Sequence, residues 1–119
     1  MKNSDIQRIE HMKVYCEDVI DAIKTYGNDF AIFQSNVHYR NSVAMSIQQI
    51  GEFVGGLSID FRGAHPMLWE PMKGMRNIIA HAYHTANRKT IWATAINDIP
   101  PLLKFCEDIL AQEETKDKE

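Results

Sequence analysis

Met75-Arg76-Asn77-Ile78-Ile79-Ala80-His81-Ala82-Tyr83-His84 gathers Arg76, Asn77, His81 and Tyr83 into one short stretch. Pro66 and Pro71 stand upstream, at positions suited to a helix start, where a missing N–H matters least. Thr85-Ala86-Asn87 stands downstream and breaks the pattern. These signals predict a helix over about residues 68–83 that carries all four polar side chains. The rest of the chain reads as its helical scaffold.

Working outward, Ser4-Asp5-Ile6-Gln7 has the form of a capping box, with the Ser4 hydroxyl accepting from the Gln7 amide. Ile6, Ile9, Cys16, Val19, Ile20 and Ile23 follow with helical spacing, Lys24 favours a helix end, and Gly27 suits a left-handed cap. A first helix is expected over about residues 5–26. Residues 28–36 read as a connection with one turn at Asp29–Phe33. Ser35 or Asn36 can cap a second helix whose stripe is Val43, Ala44, Ile47, Ile50, Val54 and Leu57. Gly51, Gly55 and Gly56 interrupt that stripe, which points to a close helix approach or an end at Gly55–Gly56. Ser58–Pro66 has the composition of a loop. A short helix is expected over Arg88–Ile96. Asn97 or Asp98 can cap a last one, with Pro100 and Pro101 in its first turn and Leu102, Leu103, Cys106, Ile109 and Leu110 buried. No strand alternation or internal repeat occurs. The predicted fold is all-α: an antiparallel bundle of four main helices plus a short one. It forms one domain over residues 1–111, followed by a charged, frayed tail over 112–119.

At 119 residues, 45% hydrophobic and 24% charged, the chain has the composition of an ordinary globular domain. No apolar run reaches the ~18 residues of a membrane span, and Met-Lys-Asn-Ser-Asp lacks the apolar core of a signal peptide. A cytoplasmic protein with no membrane association is expected. Cys16 and Cys106 lie on apolar stripes without metal-motif spacing and read as buried free thiols. The net charge of −3 is uneven. Residues 62–89 hold Arg62, Lys73, Arg76, Arg88 and Lys89 against Glu70 alone, a local +4, and the remainder carries −7. That zone fits an anionic ligand held at one place, or cations spread around a solvated helix.

Arg76 and His81 supply two groups that phosphodiester cleavage uses. A guanidinium grips a phosphate through two parallel hydrogen bonds and offsets the charge that builds as phosphorus becomes five-coordinate. An imidazole exchanges a proton near neutral pH, as base on a ribose 2′-hydroxyl or acid on the leaving oxygen. RNA brings its own nucleophile, so neither a metal nor a protein nucleophile is required, and no cofactor is expected. Asn77 and His81, four apart, share a helical face, so the amide can orient the ring. Arg76 and His81, five apart, lie ~140° apart around the helix. That separation favours a site completed across a dimer. Each residue has a plainer role open to it. Tyr83 can simply pack. His81 and His84 offer two metal ligands, with no third at motif spacing. Trp69 and Trp92 fall on inward stripes and read as core. Glu52 is a solvated charge or a partner for Arg76.

Taken together, the residues resemble the HepT-like branch of the HEPN superfamily. Arg76, His81 and Tyr83 match its Arg-x4-His-x-Tyr motif. Ile50-Gly51-Glu52, Trp69 ahead of Gly74-Met75-Arg76-Asn77, and Trp92 with Ile99-Pro100-Pro101-Leu102 match further anchors across about residues 5–110. Met67-Leu68 departs from a proline common before the tryptophan. The resemblance implies a helical homodimer with metal-independent endoribonuclease activity on RNA. It implies Arg76 and His81 as catalytic residues, with Asn77 in support. It also implies the toxin role in a type VII toxin–antitoxin pair, whose partner, a minimal nucleotidyltransferase antitoxin, adds AMP at Tyr83. Some superfamily members are catalytically silent dimers that bind a nucleotide or that partner.

Overall fold

A computed structural model describes residues 3–67, 69–82 and 87–118. Four long helices dominate: α1 (Asn3–Tyr26), α3 (Val37–Gly56), α5 (Trp69–Ala82) and α7 (Ile99–Lys118). Short helices α2 (Phe30–Ser35), α4 (Ile59–Ala64) and α6 (Arg88–Ala93) join them, and no strand occurs among the described residues. The fold is the expected all-α, HEPN-like bundle. α1 packs on both α3 and α7, α3 also packs on α5, and Trp69 of α5 meets Phe105 of α7 with ring centroids 5.5 Å apart. The predicted stripes form the core, with Ile9, Met12, Cys16 and Val19 of α1 buried with Val43, Ile47, Ile50 and Val54 of α3.

The local rules hold where no distant partner competes. Gly27 takes φ 119° after α1, a conformation open mainly to glycine. Asn36 caps α3, its side-chain oxygen accepting from His38 N at 2.9 Å and Tyr39 N at 3.1 Å. Asn36 also ends α2, which is longer than the single turn expected in this connection.

Three readings are corrected. Ser4 is not a cap, because α1 begins before it at Asn3. Its neighbour Asp5 is instead buried and accepts from Ser58 N at 2.8 Å and Ser58 Oγ at 2.7 Å. Ser58–Pro66 is not simply a loop. Ser58 Oγ accepts from Phe61 N at 3.1 Å and caps α4, while Phe61 anchors that helix in the core beside Trp69 and Phe105. Asn97 and Asp98 cap nothing. Residues 94–98 form a wide π-type turn in which Ile99 N donates to Thr94 O, so α6 runs through it into α7. Pro100 and Pro101 follow at once. They lack the N–H a regular turn would use, and the wide turn relieves their ring clash with the preceding carbonyls. α7 then continues in helical form to Lys118, through the region expected to fray.

Candidate active site on the α3–α5 face

α5 is one-sided. Trp69, Met72, Met75 and Ile79 are buried, while Asn77, Ile78 and His81 are exposed and Arg76 is half-buried. The predicted helix over 68–83 is observed as Trp69–Ala82, so Arg76, Asn77 and His81 share one unbroken α-helix. The ~140° between Arg76 and His81 therefore holds. Tyr83 and His84 lie outside the described residues, as does the predicted break at Thr85 and Ala86.

Gly51 sets how close α3 and α5 come. A Cβ there would stand 2.8 Å from the Met72 carbonyl oxygen and collide with the Arg76 side chain. The missing side chain brings the backbones together and puts Glu52, the next residue, alongside Arg76. Arg76 Nε donates to Glu52 Oε1, and Arg76 Nη1 donates to Asn77 Oδ1 at 2.9 Å. Glu52 is thus the arginine's partner, one of the two roles open to it from sequence. Asn77, expected to orient His81, spends its side-chain oxygen on Arg76 instead. These contacts fix the guanidinium at two of its donors. Lys73 lies one turn before Arg76 and pairs loosely with Glu70 at 3.9 Å.

Two depressions run end to end along this crossing. One, of about 410 Å³, is lined by Gly51, Glu52, Gly55, Gly56, Lys73, Arg76 and Asn77. The other, of about 310 Å³ and mostly apolar, lies between Asn41, Ala44, Met45 and Gln48 of α3 and Ile79 and Ala80 of α5. Met45, which lines this second depression, is 64% exposed. The scaffold side is chemically quiet. Cys16 and Cys106 are free, buried and near one another. Burial pushes both thiols up, Cys106 to about 12. Trp69 is core. Trp92 packs on Phe33 with ring centroids 5.1 Å apart. No helix among the described residues is long and apolar enough to cross a membrane.

Known proteins give a consistent answer. The family described as "Ribonuclease HepT-like" matches residues 12–109. "Putative RNase TTE0752" of Caldanaerobacter subterraneus is 33% identical over 106 residues, covering 88% of this chain and 93% of that protein. "Putative RNase MJ0127" of Methanocaldococcus jannaschii is 32% identical over 113 residues, covering 92% and 87%. "Probable ribonuclease HepT" of Thermococcus cleftensis is 31% identical over 96 residues, covering 76% and 87%. No solved structure matches.

Proposed function

Because the chain belongs to the HepT-like ribonuclease family, we propose that it is a metal-independent endoribonuclease whose active centre is built on Arg76 and His81. The observation that carries this reading is Arg76, held by Glu52 and Asn77, on the one unbroken helix that also carries the exposed His81. His81 takes the proton from a ribose 2′-hydroxyl, which attacks the adjacent phosphorus. Arg76 offsets the negative charge that accumulates on the phosphoryl oxygens, and a proton is returned to the departing 5′-oxygen. The products are a 2′,3′-cyclic phosphate and a free 5′-hydroxyl. Asn77 supports Arg76 by fixing its guanidinium plane.

The ~140° between the two residues argues for a homodimer in which Arg76 of one copy works with His81 of the other. In the cytoplasm the enzyme acts as the toxin of a type VII toxin–antitoxin pair. Its antitoxin, a minimal nucleotidyltransferase, silences it by placing AMP on Tyr83. Phosphate added two residues beyond His81 competes with RNA for the same cations.

The test is RNA cleavage and growth arrest by the wild type, Arg76→Ala and His81→Ala. Each substitution is expected to lower cleavage by about 10²–10⁴-fold with the fold retained. Equal cleavage by all three overturns the assignment. Intact mass after coexpression with the nucleotidyltransferase checks Tyr83, where added AMP is expected. Neutralisation without added mass removes that part. One observation favours a second reading. Glu52 already offsets the charge on Arg76, as a catalytically silent dimer that only binds a nucleotide or the nucleotidyltransferase would tolerate. Stable complex formation without cleavage by the unmodified protein would establish that alternative.

A further inference from the structure

Beyond the α3–α5 cleft, two further arginines converge on one backbone carbonyl near the start of α3. Arg40, on the first turn of α3, donates from Nη1 to the Gln34 carbonyl at 2.6 Å. Arg88, at the start of α6, donates from Nη1 to the same carbonyl at 3.2 Å. These residues are distant in sequence, yet their guanidinia share one neutral acceptor. Among the described residues, neither takes part in an ion pair. Like charges brought this close repel unless an anion offsets them.

The convergence is built into the fold. Gln34 sits near the end of α2, and an aromatic cluster clamps α2, α3 and α6 together. Phe33 lies 5.1 Å from Trp92 and 5.2 Å from Tyr39, ring centroid to centroid. Trp92 is one turn along α6 from Arg88, and Tyr39 adjoins Arg40. Lys89 and His38, both exposed, stand beside the pair in sequence. The pair adjoins the groove along α3: Asn41, which lines it, follows Arg40. Arg40 precedes Gly51, where Arg76 crosses α3, by about 16 Å of helix rise.

We propose that Arg40 and Arg88 form a second phosphate-binding subsite that holds the backbone of single-stranded RNA a few nucleotides from the bond cut at Arg76 and His81. The proposal deepens the ribonuclease reading and rests on it for the identity of the ligand. The strand follows the α3–α5 groove, with its phosphates at the two cationic ends and its bases over the apolar middle. Arginine suits the task, since its fork grips a phosphate and it stays charged.

The test measures binding of a fluorescein-labelled oligodeoxynucleotide of about 12 nucleotides, a probe that lacks the 2′-hydroxyl and is not cleaved. Arg40→Gln/Arg88→Gln keeps side-chain donors for the Gln34 carbonyl and removes both charges. Affinity is expected to fall about tenfold near 0.1 M salt, and the slope of log affinity against log salt to fall by about 0.7–1.4. Lys104→Gln, a charge removed from exposed α7, is the control and leaves the slope unchanged. A double variant that keeps wild-type affinity and slope, with its circular dichroism intact, overturns the subsite. So does a loss matched by Lys104→Gln, which would reflect net charge alone. The two readings fail separately. If wild type and Arg76→Ala cleave RNA equally while the double variant loses binding, the subsite stands and the catalytic assignment falls. If Arg76→Ala abolishes cleavage while the double variant binds normally, the reverse holds.

Discussion

The α1–α7 and α3–α5 crossings hold their helices together by opposite means. α1 and α7 meet through apolar volume, including the neighbouring thiols of Cys16 and Cys106, which burial keeps protonated. α3 and α5 meet where volume is missing. Gly51 lets the Met72 carbonyl and the Arg76 side chain come in close, and the next residue, Glu52, pairs with Arg76. A side-chain-filled crossing excludes polar groups. A glycine crossing brings two backbones together and leaves its rim open, so a carboxylate and a guanidinium can meet half-exposed. The difference teaches where this scaffold can afford charge.

Gly51→Ala attacks that difference most directly. The new Cβ has no room against the Met72 backbone, so α5 must shift and carry Arg76 with it. Stability should fall by about 1–3 kcal/mol. With Arg76 in the proposed catalytic role, cleavage should fall by about 10²-fold, since small misplacements of such a group cost rate steeply. Gly55→Ala is the control. Nothing lies within 4 Å of its added Cβ, so it should stabilise by about 0.5–1 kcal/mol. Urea denaturation of both checks the pair, and an unchanged Gly51→Ala protein would refute the close-approach account.

Asp5→Ala probes the scaffold. It strips the half-buried Ser58 N–H and hydroxyl of their acceptor and loosens the cap of α4, at a cost of about 1–3 kcal/mol. Cleavage per folded molecule should not change, because the α3–α5 crossing is untouched. A drop in specific activity would show that the two regions are coupled.

The contact between Asp5 and Ser58 also shows where sequence reading stops. The stripes of α1, α3, α5 and α7, the Gly27 and Asn36 caps, and the meaning of Gly51 were legible, because periodicity and cap chemistry are local. Ser4-Asp5-Ile6-Gln7 had the local form of a capping box, but Ser58, far along the chain, claims Asp5. The signal for α4 was present in Ser58 ahead of Ile59-Asp60-Phe61, and Gly63 and Pro66 masked it. Asn97 and Asp98 looked like caps because the prolines demanded a break. The chain widens one turn instead. On the site, Arg76, Asn77 and His81 were legible as a cluster on one helix. That Asn77 serves Arg76 was not, since one helix face allows either partner.

The thiols supply a pH test of the scaffold side. In the folded chain burial holds Cys16 and Cys106 above their ordinary value near 9. The unfolded chain therefore loses these protons first as pH rises. The folded state then binds more protons, and stability falls with pH by about 1.4 kcal/mol per unit per thiol, starting near pH 9. Below pH 8 the thiols contribute no slope. Urea midpoints from pH 7 to 10.5 should show the decline, and Cys16→Ala/Cys106→Ala should flatten it. A slope that survives the double substitution would assign it to other groups.

Glu52→Gln is the mildest change and the most informative for the site. The pair is half-exposed, so its loss should cost under about 1 kcal/mol of stability. Its effect should appear in the kinetics. Gln still offers an oxygen to Arg76 Nε, which keeps the orientation, but it no longer offsets the charge. KM for RNA should then fall about 2–5-fold with kcat little changed, because uniform binding has been strengthened. Glu52→Ala removes the acceptor as well. Arg76 loses one of its two tethers, and kcat should fall about tenfold. If Gln and Ala behave alike, Glu52 acts only through its charge, and the glycine beside it serves packing rather than aim.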